Sequence, residues 1–188
     1  MSNITPIAFV DVSMLSAGLC LKYRTRFADD KRRQQFPNSP HHDTETIVLR
    51  GPKDATPAAW FEDGEMVDYP IMKEWKAARI ILKKIREGAA PLLGGKVAVL
   101  GKAMVVSLKA GGHVDWHVDE GEYAEAYLRT HTCLVPSPAA WLYSGGEAQA
   151  INVGWLHFFN NRVKHSAINM GAVARVHLIV DVRRPDVP

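Results

Sequence analysis

Short runs in which hydrophobic and polar residues alternate fill the second half of the chain, from about residue 95. Such runs, rich in β-branched residues and separated by Gly, Pro and Asn, predict short strands. Many short strands at close spacing are typical of an antiparallel sandwich or barrel. We expect strands at Lys96–Leu100, Ala103–Leu108, His113–Val118, Thr130–Val135, Gln149–Val153, Trp155–Phe159, His165–Asn169 and Arg175–Val182.

The segment Arg175–Val182 has the clearest alternation. Side chains alternate between the two faces of a strand, so one face is wholly apolar. That face carries Val176, Leu178, Val180 and Val182. The opposite face begins with Arg175, and in a small barrel it can line a polar pocket.

The first half of the chain predicts a strand at Thr44–Arg50 and one long amphipathic helix. Pro70 is favoured at a helix start and Gly88 at a helix end. Apolar residues recur at helical spacing between them, at Ile71, Trp75, Ala78, Leu82 and Ile85. We expect a mainly β fold with flanking helices. The chain, 1–188, is expected to be one domain, in which residues 1–94 support a core at 95–185.

Composition excludes several classes of protein. The 188 residues are 47% hydrophobic and 23% charged, which is ordinary for a globular domain and excludes disorder throughout. No apolar stretch approaches the roughly 20 residues of a membrane span. A net charge of +3 does not indicate a nucleic-acid partner. Two cysteines and an N-terminus without a basic and apolar leader lead us to expect a cytoplasmic protein.

Candidate chemistry lies in the segment Gly111–Asp119, which holds two His-x-Asp pairs. Residues i and i+2 of a strand project to one face, so each pair offers a metal an imidazole nitrogen and a carboxylate oxygen. A second histidine from a later strand would complete a 2-His-1-carboxylate face, which suits Fe(II) with open positions. The candidates are His131, His157, His165 and His177, and His165 is the best placed.

Arg175 follows His165 by ten residues. A buried arginine needs a counter-ion, because an unpaired buried charge costs several kcal/mol. A dicarboxylate ligand can supply one through a bidentate pair, and so can a nearby acid such as Asp181.

The order of these motifs resembles the aspartyl/asparaginyl β-hydroxylase branch of the 2-oxoglutarate (2OG)/Fe(II) oxygenases. The resemblance runs from Ser107 to Pro185. It rests on Gly112–Asp119, Arg129-Thr130-His131, His165 and Arg175–Pro185. It implies a double-stranded β-helix, also called a jelly roll, with a cupin-like core.

The resemblance also implies roles for individual residues. Fe(II) would be bound by His117, Asp119 and His165, which favours the second His-x-Asp pair over His113 and Asp115. Arg175 would hold the distal carboxylate of 2OG. Arg129 and His131 would approach its other end, with Ser107 assisting. No catalytic side chain beyond the metal centre is expected. With O₂, such an enzyme hydroxylates an unactivated C–H of an amino acid or amino-acid side chain and releases succinate and CO₂.

The substrate is expected to be a free amino acid or a peptide. Arg50 and His113 are candidate substrate-binding residues, and His41, His42, Trp60 and Tyr69 are expected to help build the pocket. One alternative is a cupin-like Zn or Mn protein with isomerase or hydrolase chemistry and no 2OG. The other is a binding module whose basic residues contact an acidic partner, which leaves the His, Asp and Arg order unexplained.

Overall fold

The computed structural model describes residues 2–28, 38–54 and 56–185. Within these ranges the strands are β1 (Ile4–Phe9), β2 (Thr44–Pro52), β3 (Met66–Asp68), β4 (Val99–Leu108), β5 (His113–His117), β6 (Leu128–Val135), β7 (Ala140–Ser144), β8 (Glu147–Gln149), β9 (Trp155–Phe159), β10 (His165–Asn169) and β11 (Arg175–Arg183). The α-helices are α1 (Ser13–Gly18), α2 (Pro70–Glu74), α3 (Lys76–Gly88) and α4 (Glu122–Ala126). A π-helical turn at Leu19–Tyr23 and 3-10 turns at Arg24–Ala28, Ala58–Trp60 and Ala90–Leu93 complete the described elements.

The strands form two sheets in which every neighbouring pair of described strands is antiparallel. The larger sheet has seven strands in the order β1-β9-β6-β11-β4-β2-β3, and the smaller has four in the order β5-β10-β7-β8. An apolar cluster joins them: Leu108 and Cys133 of the larger sheet pack with Val114 and Ala167 of the smaller. The predicted mainly β fold with flanking helices is confirmed.

The helices cover the other face of the larger sheet. The apolar face predicted for β11 packs there: Leu178, Val180 and Val182 share one buried cluster with Ile81 and Ile85 of α3. The opposite face of β11 is therefore turned toward the smaller sheet, as its alternation predicts.

The predicted long helix is divided in two. It begins at Pro70 and ends at Gly88 as expected, but Trp75 leaves helical geometry at φ −100° and ψ 78°. The Trp75 ring is buried and stacks on Tyr23, with ring centroids 4.2 Å apart. The helix is thus interrupted where Trp75 packs against the N-terminal segment. The helical spacing of apolar residues does not predict this interruption.

Several predicted strand boundaries are wrong. The predicted strands Lys96–Leu100 and Ala103–Leu108 form a single strand, β4, because Gly101 continues the strand. A Cβ at Gly101 would lie 2.6 Å from the ring of Tyr127, so this glycine permits close packing and marks no turn. The predicted strand Gln149–Val153 is replaced by β8 at Glu147–Gln149. Strands β1, β3 and β7 have no predicted counterpart.

In the described part of the chain, no helix combines the length and the apolar character that crossing a bilayer requires.

Candidate metal and anion site

The structure brings His117, Asp119 and His165 together. His117 ends β5 and pairs directly across the sheet with His165, the first residue of β10. Oδ1 of Asp119 lies 3.3 Å from Nε2 of His117 and 3.8 Å from Nε2 of His165. One ligand atom from each of the three side chains lies within 4.8 Å of the others, which is compact enough for one metal ion.

A bulge in β5 decides which His-x-Asp pair faces inward. Between the pairs Val114–Ala167 and His117–His165, β5 has two residues, Asp115 and Trp116, where β10 has only Ser166. The extra residue reverses the alternation, so His117 lies on the same inner side as Val114. His113 stays on the outer side, with a side chain that is 52% exposed. Asp119 lies beyond β5, in contrast to the expected common strand, and the carbonyl of Asn161 accepts a hydrogen bond from its backbone N–H at 2.9 Å.

Backbone carbonyls fix the orientation of both imidazoles. Nδ1 of His117 lies 2.7 Å from the carbonyl oxygen of Asp115, and Nδ1 of His165 lies 2.9 Å from that of Val163. Since a carbonyl only accepts, each Nδ1 carries the proton and each Nε2 presents a lone pair. Nε2 of His117 is buried and makes no hydrogen bond within the described part of the chain. This is the arrangement that metal-ligating histidines show.

The protonation states also suit metal binding. Burial would raise the pKa of Asp119, but the charge of the Arg129 guanidinium and the hydrogen bond from Asn161 outweigh it and hold that pKa well below its usual value. Burial lowers the pKa of His165 to about 4, despite the opposing effect of Asp119. At neutral pH the site therefore offers an ionised carboxylate and a neutral imidazole, which are the forms that bind metals.

Arg129 holds Asp119 in place. Its Nη1 donates to Oδ2 of Asp119, and Nδ2 of Asn161 donates to the same oxygen at 2.9 Å. On its other side, Nε of Arg129 donates to Oδ1 of Asp181 at 2.9 Å. Burial would lower the pKa of Arg129, but the charges of Asp181 and Asp119 raise it above its usual value. With Oδ2 occupied by two donors, Oδ1 remains directed at the two histidines.

Among the described residues, Arg175 has no acidic partner of the kind that Arg129 has in Asp119 and Asp181. It is 5% exposed, and its Nε and Nη1 make no hydrogen bond with any residue of the described ranges. Asp181, the acid considered from the sequence, pairs with Arg129 instead. Burial lowers the pKa of Arg175 to about 10, with only a small opposing effect from Cys133. A buried guanidinium without a carboxylate is unfavourable alone, so this position suits an anionic ligand.

Two cavities meet at the histidines. The narrower one runs between the sheets and reaches Arg175; its walls include His165, Phe159 and Ile179. The larger one has a volume of about 660 Å³ and opens on the other side of His117. Both cavities share His41, His117 and Arg129 as lining residues. An anion held by Arg175 and a second molecule in the larger cavity would thus both reach the His–Asp–His cluster.

Of the other predicted site residues, His131 lines a cavity, whereas Ser107 and Arg50 do not. His131 lines the narrower cavity, and its Nδ1 lies 3.3 Å from Nδ1 of His177. Ser107 is buried on β4 but alternates with Val106, which lines that cavity. Arg50 donates to Asp68 at 2.6 Å and to the carbonyl of Met66, and it lines neither of these cavities. The placement of Ser107 and Arg50 therefore gives their predicted binding roles no support.

The larger cavity holds residues that the sequence did not single out. His41 and Trp60 line it as expected, whereas the sequence pattern did not indicate Lys102 or Tyr123. Lys102 is buried, donates through Nζ to the carbonyl of Trp60 and lies 3.4 Å from the centroid of the Tyr123 ring. These residues come from separate elements, so no spacing along the chain connects them.

Comparisons with known proteins give a family match and several structures of the same fold. Residues 88–185 match the family described as Aspartyl/Asparaginyl beta-hydroxylase. No curated protein matches the sequence. Among solved structures, AviO1 from Streptomyces viridochromogenes is 17% identical with a TM-score of 0.60, over 99% of this chain and 91% of AviO1.

Two hydroxylases share the fold. The collagen prolyl hydroxylase of Paramecium bursaria Chlorella virus-1, in its 2OG complex, is 9% identical with a TM-score of 0.56, over 97% of each chain. The prolyl hydroxylase of Trichoplax adhaerens, in complex with a peptide fragment of hypoxia inducible factor, is 13% identical with a TM-score of 0.56, over 96% of this chain and 83% of that one. At these identities the likeness establishes the fold alone, and it confirms the predicted jelly roll.

Proposed function

Because this chain belongs to the aspartyl/asparaginyl β-hydroxylase family, we propose that it is an Fe(II)- and 2OG-dependent dioxygenase. It would hydroxylate an unactivated C–H of an amino acid or amino-acid side chain and release succinate and CO₂. One observation carries the proposal. A single narrow cavity is lined by His117, His165 and Arg175, and within the described residues the buried guanidinium of Arg175 has no carboxylate partner.

Fe(II) would be held by His117, Asp119 and His165. The two nitrogens and one oxygen form a facial set that leaves other coordination positions open, which is the arrangement of non-haem Fe(II) oxygenases. When bound, iron with O₂ supplies the oxidising power. The protein holds both imidazoles through the carbonyls of Asp115 and Val163 and keeps Asp119 ionised beside Arg129.

The cosubstrate 2OG would lie in the narrower cavity, whose volume of about 40 Å³ must widen to accommodate it. Arg175 would bind its distal carboxylate through the N–H groups that lack partners. Apolar walls from Val106, Phe159 and Ile179 suit the methylene carbons between the two ends of the molecule. His131, on the same wall, would approach the other end. Arg129 reaches the cavity too, but its main role would be to orient Asp119.

The substrate would enter through the larger cavity. A volume of about 660 Å³ accommodates a free amino acid or one side chain of a peptide. The prolyl hydroxylase of Trichoplax adhaerens was solved with a peptide bound, which makes a peptide substrate worth testing. Lys102, Trp60 and Tyr123 give this cavity a cationic and aromatic wall.

The test is succinate release from 2OG under air, with a panel of free amino acids and short peptides. We expect release that requires added Fe(II) and 2OG and increases with the correct substrate. His117→Ala and His165→Ala should lose both iron and activity, while His113→Ala should retain iron. Absence of 2OG binding by the Fe(II)-loaded protein would refute the proposal and favour a metal protein with other chemistry.

A further inference from the structure

The outer His-x-Asp pair belongs to a second cluster of metal-binding side chains. His42 and Asp43 lie in the turn before β2, and His113 begins β5. One ligand atom from each of these three residues lies within 4.8 Å of the others. Nδ1 of His113 is 3.4 Å from Oδ2 of Asp43, and the rings of His42 and His113 stand nearly perpendicular with centroids 5.6 Å apart. The cluster joins two segments that are remote in sequence.

We propose that His42, Asp43 and His113 form a second metal site, separate from the His117 site, that takes a late first-row divalent ion such as Zn²⁺. Two imidazole nitrogens and one carboxylate oxygen are ligands that Zn²⁺ accepts, with a water in the fourth position. The donor set resembles that of the inner site, but it lies on the outer side of the β5 bulge.

Asp115 orients His113 for this role. Nε2 of His113 lies 3.1 Å from Oδ1 of Asp115. This carboxylate favours the tautomer with its proton on Nε2, which would leave the lone pair of Nδ1 for a metal beside Asp43. A carboxylate on the far nitrogen of a ligating histidine is a recurring feature of metal sites, and it makes the ring a better ligand.

Charge favours a cation here. Asp43 and Asp115 contribute two carboxylates, and Lys109 neutralises one of them through Oδ1 of Asp43 at 2.6 Å. Oδ2 of Asp43 accepts a hydrogen bond from the backbone N–H of His113 at 3.0 Å and lies on the His113 side of the cluster.

A metal ion bound at this site would restrain one wall of the larger cavity. The carbonyl of Pro40 accepts a hydrogen bond from the N–H of Asp115 at 3.0 Å. Pro40 and His41 line that cavity and directly precede the ligands His42 and Asp43. A metal bridging His42 and Asp43 to β5 would restrain this segment at both of its ends.

The experiment is equilibrium dialysis with Zn²⁺ alone at pH 7.5, with bound metal counted by elemental analysis. Wild type should bind about two equivalents. His113→Ala and His117→Ala should each lose about one, and the double variant should lose both. Asp115→Asn should weaken only the outer site, by about 10- to 100-fold. Asp43→Asn should also lose about one equivalent, and Asp54→Asn is its control, because Asp54 is exposed and lies outside both clusters.

The side chains of His113 and Asp115 are about half exposed, so their substitution should leave folding intact, and far-UV circular dichroism checks this. Two outcomes overturn the proposal: one equivalent in the wild type, or two in folded His113→Ala. Failure of the proposed iron site is a different result, in which His117→Ala keeps the same metal content as the wild type. Faster amide exchange of residues 38–44 in zinc-loaded His113→Ala than in zinc-loaded wild type would support the restraint of the cavity wall. Equal rates would refute that restraint.

Discussion

Asp181 accepts a hydrogen bond from Nε of Arg129 at 2.9 Å. The acid of β11 thus neutralises the arginine that holds Asp119, and it leaves Arg175 of its own strand without an acidic partner among the described residues. Asp181 is 1% exposed, so this pair is shielded from water. This division of charge keeps Asp119 oriented toward the two histidines and leaves Arg175 available for the proposed 2OG.

Substitution of Asp181 should therefore lower the free energy of unfolding. Asp181→Asn leaves Arg129 buried with less compensation, and breaking a buried pair costs about 3–5 kcal/mol of the free energy of unfolding. The matched control is Asp68→Asn. It breaks the pair with Arg50, in which the Asp68 side chain is 50% exposed, and should cost less than about 1 kcal/mol. Urea denaturation of both variants gives the comparison, and equal losses would contradict the assignment.

Substitution of the two buried arginines, Arg129 and Arg175, should change the free energy of unfolding in opposite directions. Arg175→Met replaces an uncompensated guanidinium by an apolar side chain and should raise the free energy of unfolding of the ligand-free protein by about 1–4 kcal/mol. Arg129→Met leaves two buried carboxylates without their cation and should lower it. In thermal melts of the metal-loaded proteins, added 2OG should raise the Tm of wild type and leave that of Arg175→Met unchanged. A stability loss in Arg175→Met would show that a structural partner holds this arginine.

The sequence predicts much of this site but not how it is put together. The motif order identifies His117, Asp119, His165 and Arg175, because each residue type is needed for one chemical task. It cannot choose between the two His-x-Asp pairs by geometry, since perfect alternation would place His113 and His117 on one face. The choice depends on the β5 bulge, which arises from pairing with β10 about fifty residues later.

Partners that come from distant strands are equally hidden from the sequence. Asp181 is only six residues from Arg175 but 52 from Arg129, and the β6–β11 register, which places it opposite Arg129, decides its partner. The same limit applies to Gly101, where a residue that usually interrupts a strand is required by the tyrosines packed over it.

His177 should make the metal-free protein less stable in acid. Burial, with smaller effects of Arg175 and His131, lowers the pKa of His177 well below its usual value. The unfolded chain takes up a proton at this residue below about pH 6.5 and the native state does not, so stability falls as pH falls from there toward the folded pKa. His177→Gln should reduce the slope of unfolding free energy against pH by about 1.4 kcal/mol per pH unit between pH 6 and 5. Urea titrations at several pH values measure it, and an unchanged slope would show that His177 is protonated in the native state.

The substitution Gly101→Ala tests the packing of the tyrosine pair that supports the larger cavity. In Gly101→Ala the new methyl group would lie 2.6 Å from the Tyr127 ring, which is buried and stacks on Tyr123 with centroids 4.4 Å apart. Because neither ring has room to withdraw, we expect a loss of about 1–3 kcal/mol in the free energy of unfolding. Gly64→Ala is the control, since nothing lies within 4 Å of a Cβ at that position. The OH of Tyr123 accepts a hydrogen bond from the N–H of Lys102 at 2.6 Å, so displacement of this ring would also disturb the cavity wall. A Gly101→Ala protein as stable as Gly64→Ala would mean that the tyrosine pair yields more easily than its burial implies.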